Sequence, residues 1–246
     1  MTAPTDNGRD AGAAFDTQAA VTRSMLGWGV LAGPIYLGVG LLLALTREGF
    51  DLAEHPLSLL MLGEGGWMQR ANLILSGLIC AVAAVGFHRA MSRTGSPSRA
   101  PALLLGFAVG LVGSGIFPPD PMDGFPPGAA SDVTASGLLH LAFGAFQFGC
   151  LAAACFLAAR WIGRRGDAGW RRYAQASGAV ILLGFVGGAA LSTSSIGIVL
   201  LWVAVVAGYA WIAATSVYLW KIVPHPDAHR RAAHETDSPG GLPSGR

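Results

Sequence analysis

Six apolar runs alternate with short polar stretches along the chain, at about residues 25–46, 67–90, 100–117, 136–159, 173–191 and 197–220. None carries a charged residue near its centre. The first run, if helical, would reach about 33 Å, enough to cross a hydrocarbon core. The predicted fold class is therefore all-α, an integral membrane bundle of six transmembrane helices within residues 23–221. Residues 1–22 and 222–246 are polar, lack apolar periodicity and are read as disordered tails. Pairs of glycines four apart mark close helix contacts: Gly29/Gly33, Gly106/Gly110 and Gly184/Gly188. Pro34 should kink the first helix. Between the first two runs, LSLLML is apolar but too short to span; it either lies in the interface or folds back over the bundle.

Composition agrees with the pattern. Of 246 residues, 52% are hydrophobic and 12% charged, about half the charged share of a soluble domain. The net charge of +2 says little, but its placement orients the chain. On a six-span topology fourteen of the sixteen Lys and Arg fall on the side of the tails, and only Arg47 and Arg70 on the other. The positive-inside rule then puts both termini in the cytoplasm of a cell (plasma or inner) membrane. Orientation accounts for the basic loops, so no nucleic-acid partner is expected. The run after the N-terminal tail is too long for a signal-peptide core. Cys80, Cys150 and Cys155 all sit inside runs, without CxxC spacing, and read as small apolar fillers.

Candidate chemistry gathers on the other side. The stretch Gly115 to His140 holds Asp120, Asp123 and Asp132, five prolines and no Lys or Arg. Pro118 and Pro119 stop the third helix just before Asp120. His140 lies about one turn inside the fourth, so Asp120 and His140 are expected within roughly 3 to 6 Å of each other, in contact or through one water. Asp120, His140, His55 and Glu64 are the candidate catalytic residues, as acid/base groups. Arg70, Asn72, Asp123 and Gln147 are the candidate substrate-binding residues. The plainer accounts are loop bracing for Asp120 and Asp123, an ion pair for Arg70, and interhelical hydrogen bonds for His140, Asn72 and Gln147. No HExxH or comparable spacing is present, so no metal set is assigned. No nucleotide loop or cofactor fingerprint is visible.

HPLSLLMLGEGGWMQRANLILSG (His55 to Gly77), GIFPPDPMDGFPPG (Gly115 to Gly128) and SGLLH (Ser136 to His140) resemble the prokaryotic membrane-protein family catalogued as domain of unknown function 998. The resemblance covers about residues 25–220. It implies a six-span helical membrane protein, but no activity and no catalytic residues.

Two function classes fit. In one, membrane lipids surround a protein that binds or transforms an amphiphile, lipid or isoprenoid-like, entering between helices toward an acidic mouth. A membrane-embedded cyclase belongs to this class, since carboxylic acids can protonate alkenes or epoxides. In the other, the protein is a structural, accessory or transport component without chemistry. Channels and pumps fit poorly, because no run carries a central acid or base. Converging His140, Asp120 and His55 would favour the first class and splayed side chains the second.

Overall fold

A computed structural model of the chain describes residues 15–130 and 132–228. Among them are six α-helices and no strand. They are α1 (Thr17–Thr46), α2 (Gly66–Ser92), α3 (Ala100–Ile116), α4 (Ala135–Arg164), α5 (Ala168–Ala190) and α6 (Ser195–Ile222). Five are long and apolar enough to cross a membrane; α3, at 17 residues, is apolar but shorter. Each helix packs against its neighbours in sequence, and α6 returns to α1, so the bundle closes into a ring. Most of the two expected tails lies outside the described residues.

Most helices run past their apolar runs toward the end that carries the basic loops. There α1 starts at Thr17, inside the expected tail, because the Asp16 side chain accepts from the Ala19 N–H at 2.8 Å and caps it. The bond from Ala19, with the Arg93 guanidinium at 2.8 Å, holds the Asp16 carboxyl below its usual value. Polar residues of this first stretch have interhelical partners: Arg89 donates to Thr22, and Arg23 donates to the Val223 carbonyl while lying over the Trp220 ring. The helix continues through Pro34, which faces outward.

The small-residue pairs are close contacts. A Cβ on Gly33 would come within 2.9 Å of Tyr209 Cβ, on Gly110 within 2.5 Å of Gln147 Cβ, and on Gly188 within 2.5 Å of Leu201 Cγ. Helix axes approach this closely only where nothing projects. All three cysteines are free thiols, with Cys80 and Cys155 fully buried.

The opposite, acidic end is built by the connections. LSLLML folds back over the bundle: Leu57–Met61 form a 3-10 turn with Leu57, Leu59, Leu60 and Met61 buried. The Pro-rich connection from α3 to α4 makes a tight reversal in which Met122 and Phe125 pair across Asp123 (φ 50°) and Gly124 (φ 76°). Both central residues are left-handed, the geometry that favours Asp-Gly. Phe125 is buried between Phe50 and His55.

Candidate functional site

Large side chains pack the core of the half of the bundle toward the basic end. Phe87, Trp161, Trp211, Ile212 and Leu219 are buried there. The other half holds a cavity of about 510 Å³, the size of a small-molecule site. Tyr36, stacked on Tyr209 with ring centres 5.1 Å apart, and Phe107, edge-on to Tyr209, form its floor side. Pro56 to Leu59, Pro119 and Met122 form its roof. His140, Gly144, Gln147 and Leu151 share one face of α4 and run down one wall. Gly144 is open there: an added Cβ would meet nothing within 4 Å.

The roof is pinned from several sides. His55 Nδ1 accepts from the Asp51 N–H at 2.8 Å, and its Nε2 then donates to the Asp123 carbonyl at 3.0 Å. Trp202 of α6 donates to the Leu52 carbonyl, and Arg47 donates to the Glu64 carbonyl. The side is open instead. Exposed Leu141 and Ala145 on α4 and exposed Ala189 on α5 form part of the lining, so the cavity reaches the bundle surface between these helices. The Phe148–Phe185 stack, with centres 4.7 Å apart, also lines this seam. Farther toward the basic end α4 and α5 close up, where a Cβ on Gly178 would lie 3.0 Å from Cys155 Cβ.

Among the described residues no Asp, Glu, Lys or Arg lines the cavity. Its polar members are few and short of partners. Ser114 Oγ and Gln147 Oε1 are buried without a hydrogen bond, in residues only 1% and 7% exposed. His140, 8% exposed, places Nδ1 3.1 Å from the Ser114 carbonyl and 2.8 Å from that of Phe117. Carbonyls only accept, so Nδ1 carries the hydrogen, and in the neutral imidazole Nε2 keeps its lone pair.

The family model described as "Protein of unknown function (DUF998)" matches residues 30–218. The chain belongs to that family. Its apolar helices make this DUF998 member a multi-pass membrane protein. No curated protein and no solved structure matches the chain.

Of the residues singled out from the sequence of this DUF998 member, His140 and Gln147 line the cavity, one on each side of Gly144. Asp120 stands at the α4 N-terminus, where its carboxylate accepts from the Thr134 hydroxyl at 2.6 Å and the Thr134 N–H at 3.1 Å. No hydrogen bond joins it to His140, although its charge is near enough to act on that ring. His55 has both ring nitrogens engaged with backbone, as above. Asp123 contributes its carbonyl to that contact while its side chain faces out. Glu64 is exposed and contributes a carbonyl to Arg47. Arg70 donates to the Ile116 carbonyl at 2.9 Å and to Gly115 at 3.5 Å, covering the C-terminal end of α3. Asn72 joins α2 to α1 through the Tyr36 carbonyl at 3.0 Å and donates to Gln69 at 3.1 Å. Among the described residues no three His, Cys, Asp or Glu side chains come together as a metal site requires.

Ser114, Tyr36, Tyr209 and Trp202 belong to the cavity without having been singled out. For the two tyrosines a signal existed: a phenol in the middle of an apolar run has to find a polar neighbour or a cavity. Ser114, in a run of Gly, Val and Leu, carried none.

Proposed function

We propose that this protein crosses the cell membrane six times, both termini cytoplasmic, and binds an apolar or amphiphilic molecule drawn sideways from the outer half of the bilayer. The observation that carries the reading is the combination of a charge-free cavity, a pinned roof and an edge formed by lipid-facing Leu141, Ala145 and Ala189. A ligand that enters from lipid has no hydration shell to shed at the threshold, and an apolar wall then costs it nothing. The six-span topology is supported by the ring order of the helices and by the gathering of Arg and Lys at one end. For α3 to span, the membrane must meet a helix of about 25 Å.

Binding rather than catalysis fits the disposition of the acids. Asp120, Glu64 and Asp123 serve or flank turns, His55 is spent on the roof, and His140 brings an imidazole, with the phenols of Tyr36 and Tyr209, to the cavity. The test is photolabelling of membranes with a headless diazirine alkane. Label should map to the α4 segment 140–151 and should disappear in Gly144→Trp, whose indole would occupy the open wall. The melting temperature of that variant shows whether its fold is intact. Label confined to residues on the bundle's outer surface would refute the reading.

A further inference from the structure

The cavity also states what kind of head group it accepts. Resting on the binding function above, we propose that the ligand is an uncharged amphiphile whose head donates a hydrogen bond, an alcohol or a phenol, and that His140 Nε2 receives it. Charge is excluded first. Among the described residues no Lys, Arg, Asp or Glu lines the cavity, so a phosphate, a carboxylate or an ammonium inside it would meet no counter-charge on the wall. Burying an unpaired ion in such surroundings is prohibitive.

The donor requirement follows from the tautomer. Both carbonyls that touch the His140 ring, Ser114 and Phe117, lie at Nδ1 and demand a hydrogen there. Nε2 of the neutral ring is thereby an acceptor, in a side chain more than nine-tenths buried, and no group among the described residues donates to it. A ketone, an ester or an ether would leave that lone pair unmet; a hydroxyl satisfies it. Ser114 Oγ, of a residue that also lines the cavity, is likewise without a partner. Both belong near the roof: Ser114 is in the last turn of α3 and His140 in the second turn of α4. Gln147 stands two turns deeper, about 10 Å farther along α4. A head held at His140 therefore sits at the depth of the interface, and its chain points to the bilayer centre or leaves through the α4–α5 opening.

The experiment is competition against the diazirine alkane on the native full-length chain. The competitors are a fifteen-carbon isoprenoid alcohol, its methyl ether and its monophosphate. The alcohol should displace the label at about one-tenth of the concentration the ether needs, because an unmet buried acceptor carries a cost of that order. The monophosphate should not compete. In His140→Phe the advantage of the alcohol over the ether should vanish. That variant also loses two carbonyl contacts, so the ligand series on the native chain stands by itself if the variant fails to fold. Equal displacement by alcohol and ether would overturn the donor requirement, and displacement by the monophosphate would overturn neutrality, each with cavity binding intact. Absence of cavity label altogether would overturn the binding function and this inference with it.

Discussion

Two glycines on neighbouring helices should respond to the same substitution with opposite signs. Gly110 of α3 lies against α4 so closely that a Cβ there would be 2.5 Å from Gln147 Cβ and 3.0 Å from Gln147 Cα. An ordinary contact needs about 1 Å more, so α3 and α4 must part along their shared seam in Gly110→Ala. Overpacking of this kind costs about 1–3 kcal/mol. Replacing Gly within a helix returns about 1 kcal/mol, which leaves a net loss near 1 kcal/mol. Gly149 of α4 meets nothing within 4 Å of its added Cβ, so only the helix gain applies in Gly149→Ala. At about 2–4 °C per kcal/mol for a chain of this size, Gly110→Ala should melt about 2–4 °C below the native protein and Gly149→Ala about 2–4 °C above it. Gly110→Leu should lower the yield of folded protein outright. The assay is retention of the monodisperse peak on size exclusion after a graded heat step in one detergent. A Gly110→Ala protein as stable as Gly149→Ala would show that the α3–α4 seam is not the close contact described above.

Three further outcomes can be measured on the same preparation. His55→Ala removes two hydrogen bonds and the ring contacts to Phe50 and Phe125, a loss of about 2–4 kcal/mol; it should lower the melting temperature and open the 47–65 segment to protease, and unchanged cleavage would argue against the pinned roof. Asp120→Ala removes both bonds to Thr134 and should cost about 1–2 kcal/mol, with Asp120→Asn in between; a loss of ligand displacement at full stability would instead make Asp120 part of the site. In a background without the native cysteines, Gly128→Cys should react with an impermeant thiol reagent on intact cells and Arg165→Cys should not. Both positions are exposed, unlike Phe125 in the same turn as Gly128. Reaction at 165 from outside would reverse the orientation.

The helices were legible because each is an uninterrupted apolar run, and lipid-facing segments need little else. Their ends at the basic side were not. Gln18 and Thr22 look like tail residues, and it takes the Asp16 cap and the contacts with Arg89 to make them part of a helix. The Gly-xxx-Gly pairs pointed to true close approaches, since that pattern has few other uses in an apolar helix. The cavity is harder to read, because it depends on where side chains stop short of one another. His140, Gly144 and Gln147 could be placed on one face from their spacing, but the floor depends on Tyr36 meeting Tyr209 across a distance of 173 residues. The expected meeting of Asp120 and His140 rested on matching depth. Depth alone does not show which donors a carboxylate finds: Thr134, at the start of α4, gives its N–H and its hydroxyl hydrogen to the two oxygens of Asp120, a tie that spacing in the sequence does not announce.

The shortness of α3 has a consequence for the surrounding lipid. As a span, its 17 residues cover about 25 Å, while the hydrocarbon layer is about 30 Å thick. Its neighbours α2 and α4 have 27 and 30 residues, so the deficit falls on one sector of the perimeter. There Leu105, Val109 and Ile116 face outward, and acyl chains beside them have to compress by several ångströms to keep apolar surface covered. On the proposed six-span topology, hydrophobic mismatch confined to one side would make the protein a local thinner of its membrane. A thin bilayer removes that deformation energy, and so does a second short helix docked against α3, which would make bilayer thickness a lever on where the protein accumulates and what it sits beside.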